Sequence, residues 1–215
     1  MRKFNNILSV AVILAAMTAV SSAQVDFFDF SGWVDADIDN GGQVFTGLGQ
    51  NGDIDVTVTI NNDFVNSGTT SFSAGSQFIN FGHEAAGSDS IRFQFSRPVS
   101  AVIKVGTVDF EENINIFSSG NEFYSHGSGP VPNVNSIGGG GIQINGNGIG
   151  LGGTAEGSVF TGQVTGVTVT HQALADTKFD RIMVGEFVPE PNSAALLSIG
   201  AFGLLLSGRK RRRNS

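Results

Sequence analysis

Asp53-Ile54-Asp55-Val56-Thr57-Val58-Thr59-Ile60 is the stretch that decides the fold class. Acidic or hydroxyl residues alternate with aliphatic ones, and a period of two puts each set on its own face of a strand. Ile91-Arg92-Phe93-Gln94-Phe95 follows the same rule, with Ile91, Phe93 and Phe95 on an apolar face and Arg92 and Gln94 toward water. Asn113-Ile114-Asn115-Ile116-Phe117 repeats it, and Val164 to Thr170 and Phe179 to Phe187 complete the set. Ala101 to Phe110 is richer in aliphatics and reads as a strand buried on both faces. Asn-Gly, Gly-Ser and Gly-Gly steps, all turn chemistry, separate these runs. After residue 23 no amphipathic helix is legible beyond a short turn near Gln172 to Ala175. Short strands without intervening helices predict an all-β fold, an antiparallel β-sandwich of jelly-roll-like form, with an immunoglobulin-like sandwich as the second arrangement. The predicted inward residues are Phe93, Phe95, Ile103, Val105, Ile114, Ile116, Val167, Val169, Ile182 and Val184.

Residues 138–153 are of low complexity, with Ile142, Ile144 and Ile149 set among glycines. The composition predicts a flexible loop, with a hairpin over Gly141 to Ile149 turning at Asn145-Gly146 as the other reading. Gly148-x-Gly150-x-x-Gly153 matches a dinucleotide fingerprint only as a string, because no strand leads in and no helix leads out.

Between Gln24 and Phe187 there are five basic residues against 18 acidic ones, a net charge of −13 that the whole-chain value of −7 conceals. Such a surface repels phosphates, which excludes nucleic acid as a partner, and it suits divalent cations or solubility outside a cell. The chain has no Cys, so disulfides, thiol catalysis and Cys-ligated zinc are excluded. Its aromatics are 18 Phe with one Tyr and one Trp, a composition for core packing more than for sugar-stacking platforms. Trp33, between Gly32 and Val34, is assigned to the core on the same ground.

The two ends read differently from the middle. Met1-Arg2-Lys3, the apolar stretch Ile7 to Val20 and the small residues Ser21-Ser22-Ala23 form a secretory signal peptide with cleavage between Ala23 and Gln24. At the other end, Val188-Pro189-Glu190-Pro191 precedes an apolar run from Ala194 to Leu206 and the basic cluster Arg209-Lys210-Arg211-Arg212-Arg213. The prolines keep the backbone extended. The run is shorter than the about 20 residues of a bilayer crossing, so it reads as a short hydrophobic transmembrane helix that spans by thinning the membrane or by using its flanks. The basic cluster stays on the cytoplasmic side.

This tripartite tail resembles the PEP-CTERM sorting signal of exported bacterial proteins, a likeness confined to residues 188–215. It implies a Gram-negative host that makes extracellular polysaccharide, recognition of Val188-Pro189-Glu190-Pro191 and Arg209 to Arg213 by the membrane enzyme exosortase, and removal of the tail. The central stretch is loosely similar to β-sandwich modules that precede such tails, through Phe93-Gln94-Phe95, Pro98-Val99 and Val108-Asp109-Phe110-Glu111-Glu112. The expected organisation is a signal peptide over 1–23, a β-sandwich domain over 24–187 and a sorting signal over 188–215. Signal peptidase and exosortase are the expected processing partners, and extracellular polysaccharide is a candidate partner of the mature protein. The expected route is transient inner-membrane anchoring, then the cell surface or the extracellular matrix.

Candidate chemistry is sparse. Asp35, Asp37 and Asp39 resemble a calcium loop, but its sixth and twelfth positions would fall on Asn40 and Thr46 where Gly and Glu are required. Asp109, Glu111 and Glu112 form a second acidic cluster, the candidate Ca²⁺ site, with Asp109 and Glu111 sharing one strand face and Glu112 taking the other. No other cofactor is implied. His83, His126 and His171 are separate and read as loop or surface residues. The leading functional expectation is therefore a non-enzymatic, structural or adhesive exported protein. The alternatives are a calcium-stabilised carbohydrate-binding module and a secreted glycosidase using Asp109 or Glu111.

Overall fold

The computed structural model describes residues 24–33, 42–61, 65–68, 78–83, 87–146, 149, 153–173 and 178–188. Twelve strands account for most of them: β1 Gln24–Phe27, β2 Gln43–Leu48, β3 Ile54–Asn61, β4 Val65–Gly68, β5 Phe78–His83, β6 Gly87–Val108, β7 Glu112–Ser118, β8 Glu122–Ser128, β9 Asn133–Ile137, β10 Gly141–Asn145, β11 Ala155–Ala173 and β12 Lys178–Val188. They form one hydrogen-bonded sheet in which every pair with a defined register is antiparallel, and they lie in a compact unit spanning Val25–Phe187 apart from the end residues Gln24 and Val188. The all-β expectation holds.

The long strands β6 and β11 organise the sheet. They pair with each other along their length, and each changes its outer partner halfway. Residues 90–95 of β6 pair with β3, whereas 101–106 pair with β12. Residues 167–173 of β11 pair with β7, whereas 156–161 pair with β8. The exchange falls at irregularities in the β6–β11 ladder, where residues 95–98 of β6 stand against Thr165 alone. Pro98, which has no N–H to give a ladder, sits in this interruption. Side chains replace the lost backbone bonds: Gln94 Nε2 donates to the Thr165 carbonyl at 2.6 Å, and the Ala101 N–H donates to Thr161 Oγ1 at 3.0 Å. Runs that read as two strands, Ile91 to Phe95 and Ala101 to Phe110, are thus one strand with a break in its ladder.

All ten predicted inward residues belong to a single hydrophobic core, which takes side chains from both halves of β6 and β11. Ala101, Val102, Ile103, Val105 and Val108 are all buried, as expected for a strand covered on both faces. Phe28 and Phe30, just past β1, join the core at 1% exposure each, and Trp33 packs against it.

The glycine-rich segment departs from the expected loop. Gly141–Asn145 is a strand, β10, paired on both sides, with Ile144 opposite Ile114 of β7 and Val134 of β9. The hairpin is formed by β9 and β10 and turns at Gly138–Gly140, where Gly139 and Gly140 carry the positive φ angles (88° and 80°) that a tight reversal needs; after Asn145 the chain turns again, with the Ile149 N–H donating to the Gly146 carbonyl at 2.8 Å. Ile142 and Ile144 alternate inward within the segment, so apolar burial recruits it to the sheet despite its composition.

Candidate functional site

Three adjacent strands carry their inward rows from apolar to polar at the same end. On β6 the row runs Phe93, Ile91, Asp89; on β11 it runs Val167, Val169, His171; on β7 it runs Ile116, Ile114, Glu112. Asp89 lies directly opposite His171, and Glu112 lies opposite Ala173, two residues beyond it. Asp89, Glu112 and His171 are 2%, 1% and 0% exposed, so the sheet encloses two carboxyl groups and an imidazole at one end of its core. His171 Nε2 approaches Glu112 Oε1 at 3.5 Å, the outer limit of a direct contact. The other carboxylate oxygen, Oε2, accepts the Asp109 N–H at 2.7 Å. Asn113, next along β7, is also buried, and its Oδ1 has no hydrogen-bond partner among the described residues.

The expected geometry of the acidic cluster is corrected here. Asp109 and Glu111 do not share a strand face. They lie in the tight connection between β6 and β7, where Glu111 takes a left-handed φ of 69°. Thr107, also left-handed at 64°, sits just before it, and each such residue costs about 1–3 kcal/mol unless the surroundings hold it. The holding contacts are the Glu112–Asp109 bond and Gly146, where a Cβ would collide with the Asp109 carbonyl oxygen. Glu112 points inward to the core end. Among the described residues no group of three or more His, Asp or Glu is arranged to hold a metal ion.

His171 is likewise corrected from a surface residue to a fully enclosed one, because β11 passes through the middle of the sheet. His126 is exposed on β8, with its Nδ1 3.5 Å from the Tyr124 hydroxyl. Burial pushes the Tyr124 phenol up from its ordinary range. His83 lies on β5. Asp35, Asp37 and Asp39 lie outside the described residues.

A second charged constellation sits at the interruption of the central ladder. The Arg97 guanidinium donates to both oxygens of Asp53, at 3.0 Å each, and to both oxygens of Glu186, at 3.0 and 3.2 Å. Asp53 immediately precedes β3 and Glu186 lies on β12, so one fork ties together the two strands that β6 exchanges at this point. Arg97 holds the Asp53 carboxyl below its usual range, first through the hydrogen bond. Asp26 is pushed the other way, by burial and then by the nearby Glu186 charge. Arg97→Gln is expected to cost about 1–2 kcal/mol through the part-buried Glu186 arm. It should also flatten the acid limb of the stability curve. A lowered folded-state value gives Asp53 a stabilising contribution above its unfolded value of about 3.9 that fades as pH falls through the folded value, and the variant lacks it. Asp26, with a raised value, contributes in the opposite sense. Urea midpoints collected from acid to neutral pH check both parts.

The outer face of β8, β11 and β12 carries aromatic groups. Phe123 is opposite Phe160 across β8 and β11, and Phe160 meets Phe187 edge to face at 6.0 Å. Phe123 is 67% exposed.

The sorting and processing residues fall mostly outside the described residues: Ala23, Pro189, Glu190, Pro191 and Arg209 to Arg213 are not among them. Gln24 opens β1 and Val188 closes β12. Among the described residues no helix is long and apolar enough to cross a membrane. No protein-family model matches the chain, and neither a curated protein nor a solved structure shows significant similarity to it.

Proposed function

We propose that the chain is a non-enzymatic exported protein whose sorting tail is processed by an exosortase and whose β-sandwich of jelly-roll-like form serves a structural or adhesive role at the cell surface or in the extracellular matrix. The observation that carries the reading is the order of parts along the chain: a basic-apolar-small leader, an acidic strand-patterned unit, then Pro-Glu-Pro, an apolar run and five basic residues. β12 supports it, since the strand includes Val188, the residue that precedes Pro-Glu-Pro in the sequence. The sandwich reading is supported by β6 and β11, which exchange partners at mid-length while both halves feed one core. Asp89, Glu112 and His171 are enclosed, so this reading assigns them to the core and not to a reaction.

Intact-mass measurement on protein from the native host, with and without the exosortase, tests the reading. The expected mature species lacks residues 1–23 and the tail beyond the Pro-Glu-Pro region, and it keeps the tail when the exosortase is absent. Full-length chain with both termini intact in the cytosol would sink the proposal.

The Phe123, Phe160 and Phe187 row favours a second reading, a carbohydrate-binding module whose apolar sugar faces stack on these rings. Phe123→Ala would then weaken binding to a polysaccharide panel about tenfold while leaving the thermal midpoint in place. Calorimetry that detects no wild-type binding removes this alternative.

A further inference from the structure

From Gly127 to Ala155 the chain has no Asp, Glu, Lys, Arg or His, although residues 24–187 carry a net charge of −13. This neutral stretch contains β9, the last strand on the main path of the sheet, which pairs with β10 alone among the described strands. Four of its five residues, Asn133 to Ser136, are exposed, and its ladder with β10 runs without a shift. Val131 and Val134 add apolar surface at 67% and 38% exposure.

An edge strand offers a row of backbone donors and acceptors to any extended chain, and proteins blunt such edges with charge, bulges, prolines or brevity. The other outer strands are blunted. β1 carries Asp26, β2 has a register shift between Phe45 and Leu48, β8 carries Glu122 with a shift near its end, and β4 shows four described residues. On β9 the sequence Asn133-Val134-Asn135-Ser136-Ile137 carries no charge, bulge or proline, and Pro130 and Pro132 stop short of it.

We propose that β9 is a homotypic docking edge, to which a second copy of this chain adds its own β9 antiparallel. Charge selects the occupant. Two copies of a strongly acidic protein repel over most approaches, and the uncharged edge is where they can meet without opposing like charges. The pairing is self-complementary about Asn135, which places Val134 opposite Ser136 of the second copy and joins the two sheets into one. A five-residue edge makes a contact smaller than stable dimers use, so association should depend on concentration. The inference does not depend on whether the tail is processed.

Sedimentation equilibrium over a concentration series tests it, using protein as isolated from its host. The average mass of the wild type should rise from one chain toward two. Val134→Lys with Ser136→Lys sets two like-charge pairs across the junction and should weaken association about tenfold or more. Because the chain has no native Cys, Asn135→Cys gives a second, independent readout. It should oxidise to a disulfide-linked dimer several-fold faster than Ser119→Cys, placed in an exposed bend. A wild type that stays monomeric, association untouched by the Lys pair, or equal oxidation of the two Cys variants would each overturn the proposal. So would capture of an unrelated extended peptide at β9 by a monomeric wild type.

Discussion

His171→Leu is expected to destabilise the folded unit by about 3 kcal/mol or more, read as a lower urea midpoint with an unchanged slope. The substitution keeps most of the volume and removes both ring nitrogens. Glu112 retains the Asp109 N–H on Oε2 and loses the imidazole beside Oε1, while its side chain stays enclosed. Asp89, directly opposite position 171, is then left facing a leucine. Carboxyl groups kept from water with fewer partners are the costly half of a broken pair. The double variant Glu112→Leu/His171→Leu separates this account from simple loss of packing. It replaces both members by apolar groups and should lose less than the sum of the two single variants, the remaining loss including the Asp109 N–H bond that Glu112 accepts. If the double variant is instead as unstable as the sum of the two single ones, the coupling between Glu112 and His171 is absent and the cluster is not a unit.

The same cluster shows what the sequence makes legible and where that reading stops. Alternation at a period of two is a local signal, and it placed ten core residues correctly because a strand with one buried face must keep its parity along its whole length. Carried two residues further, the same parity puts Asp89 inward from Ile91, Glu112 inward from Ile114 and His171 inward from Val169. In the sequence alone that signal is outweighed by the general rule that charged and imidazole side chains lie outside. The exchange of partners by β6 and β11 is not local. It depends on which strands arrive at each half, and only Pro98 marked the interruption in the sequence. The Arg97 fork was hidden for the same reason, since Asp53 and Glu186 are distant in the chain and meet only when β3 and β12 flank β6. In β10, glycine content obscured an alternation that Ile142 and Ile144 do carry. The strand forms because β7 and β9 satisfy its backbone on both sides.

Phe30→Ala is expected to have a comparable effect, a loss of about 3–5 kcal/mol. Phe30 lies beyond the end of β1, where Phe28-Asp29-Phe30-Ser31 alternates over too few residues to mark a strand, yet it is 1% exposed. Its ring meets Phe45 edge to face at 4.9 Å, lies 5.9 Å from Phe93 and is 6.4 Å from both Phe28 and Trp33. Truncation therefore opens a cavity bordered by four aromatic rings that cannot close on it without leaving one another. Trp33 reports this directly, because it is the only Trp in the chain and it stacks on Phe45 at 6.0 Å over the same space. Its emission in the folded Phe30→Ala variant should move to longer wavelength as water reaches the ring, well before the unfolding transition. Phe123→Ala, at a position 67% exposed, removes the same side chain from the outer face and should change stability by no more than about 0.5 kcal/mol with the Trp33 emission unmoved. Equal losses in the two variants would mean that the segment after β1 is not anchored in the core through Phe30.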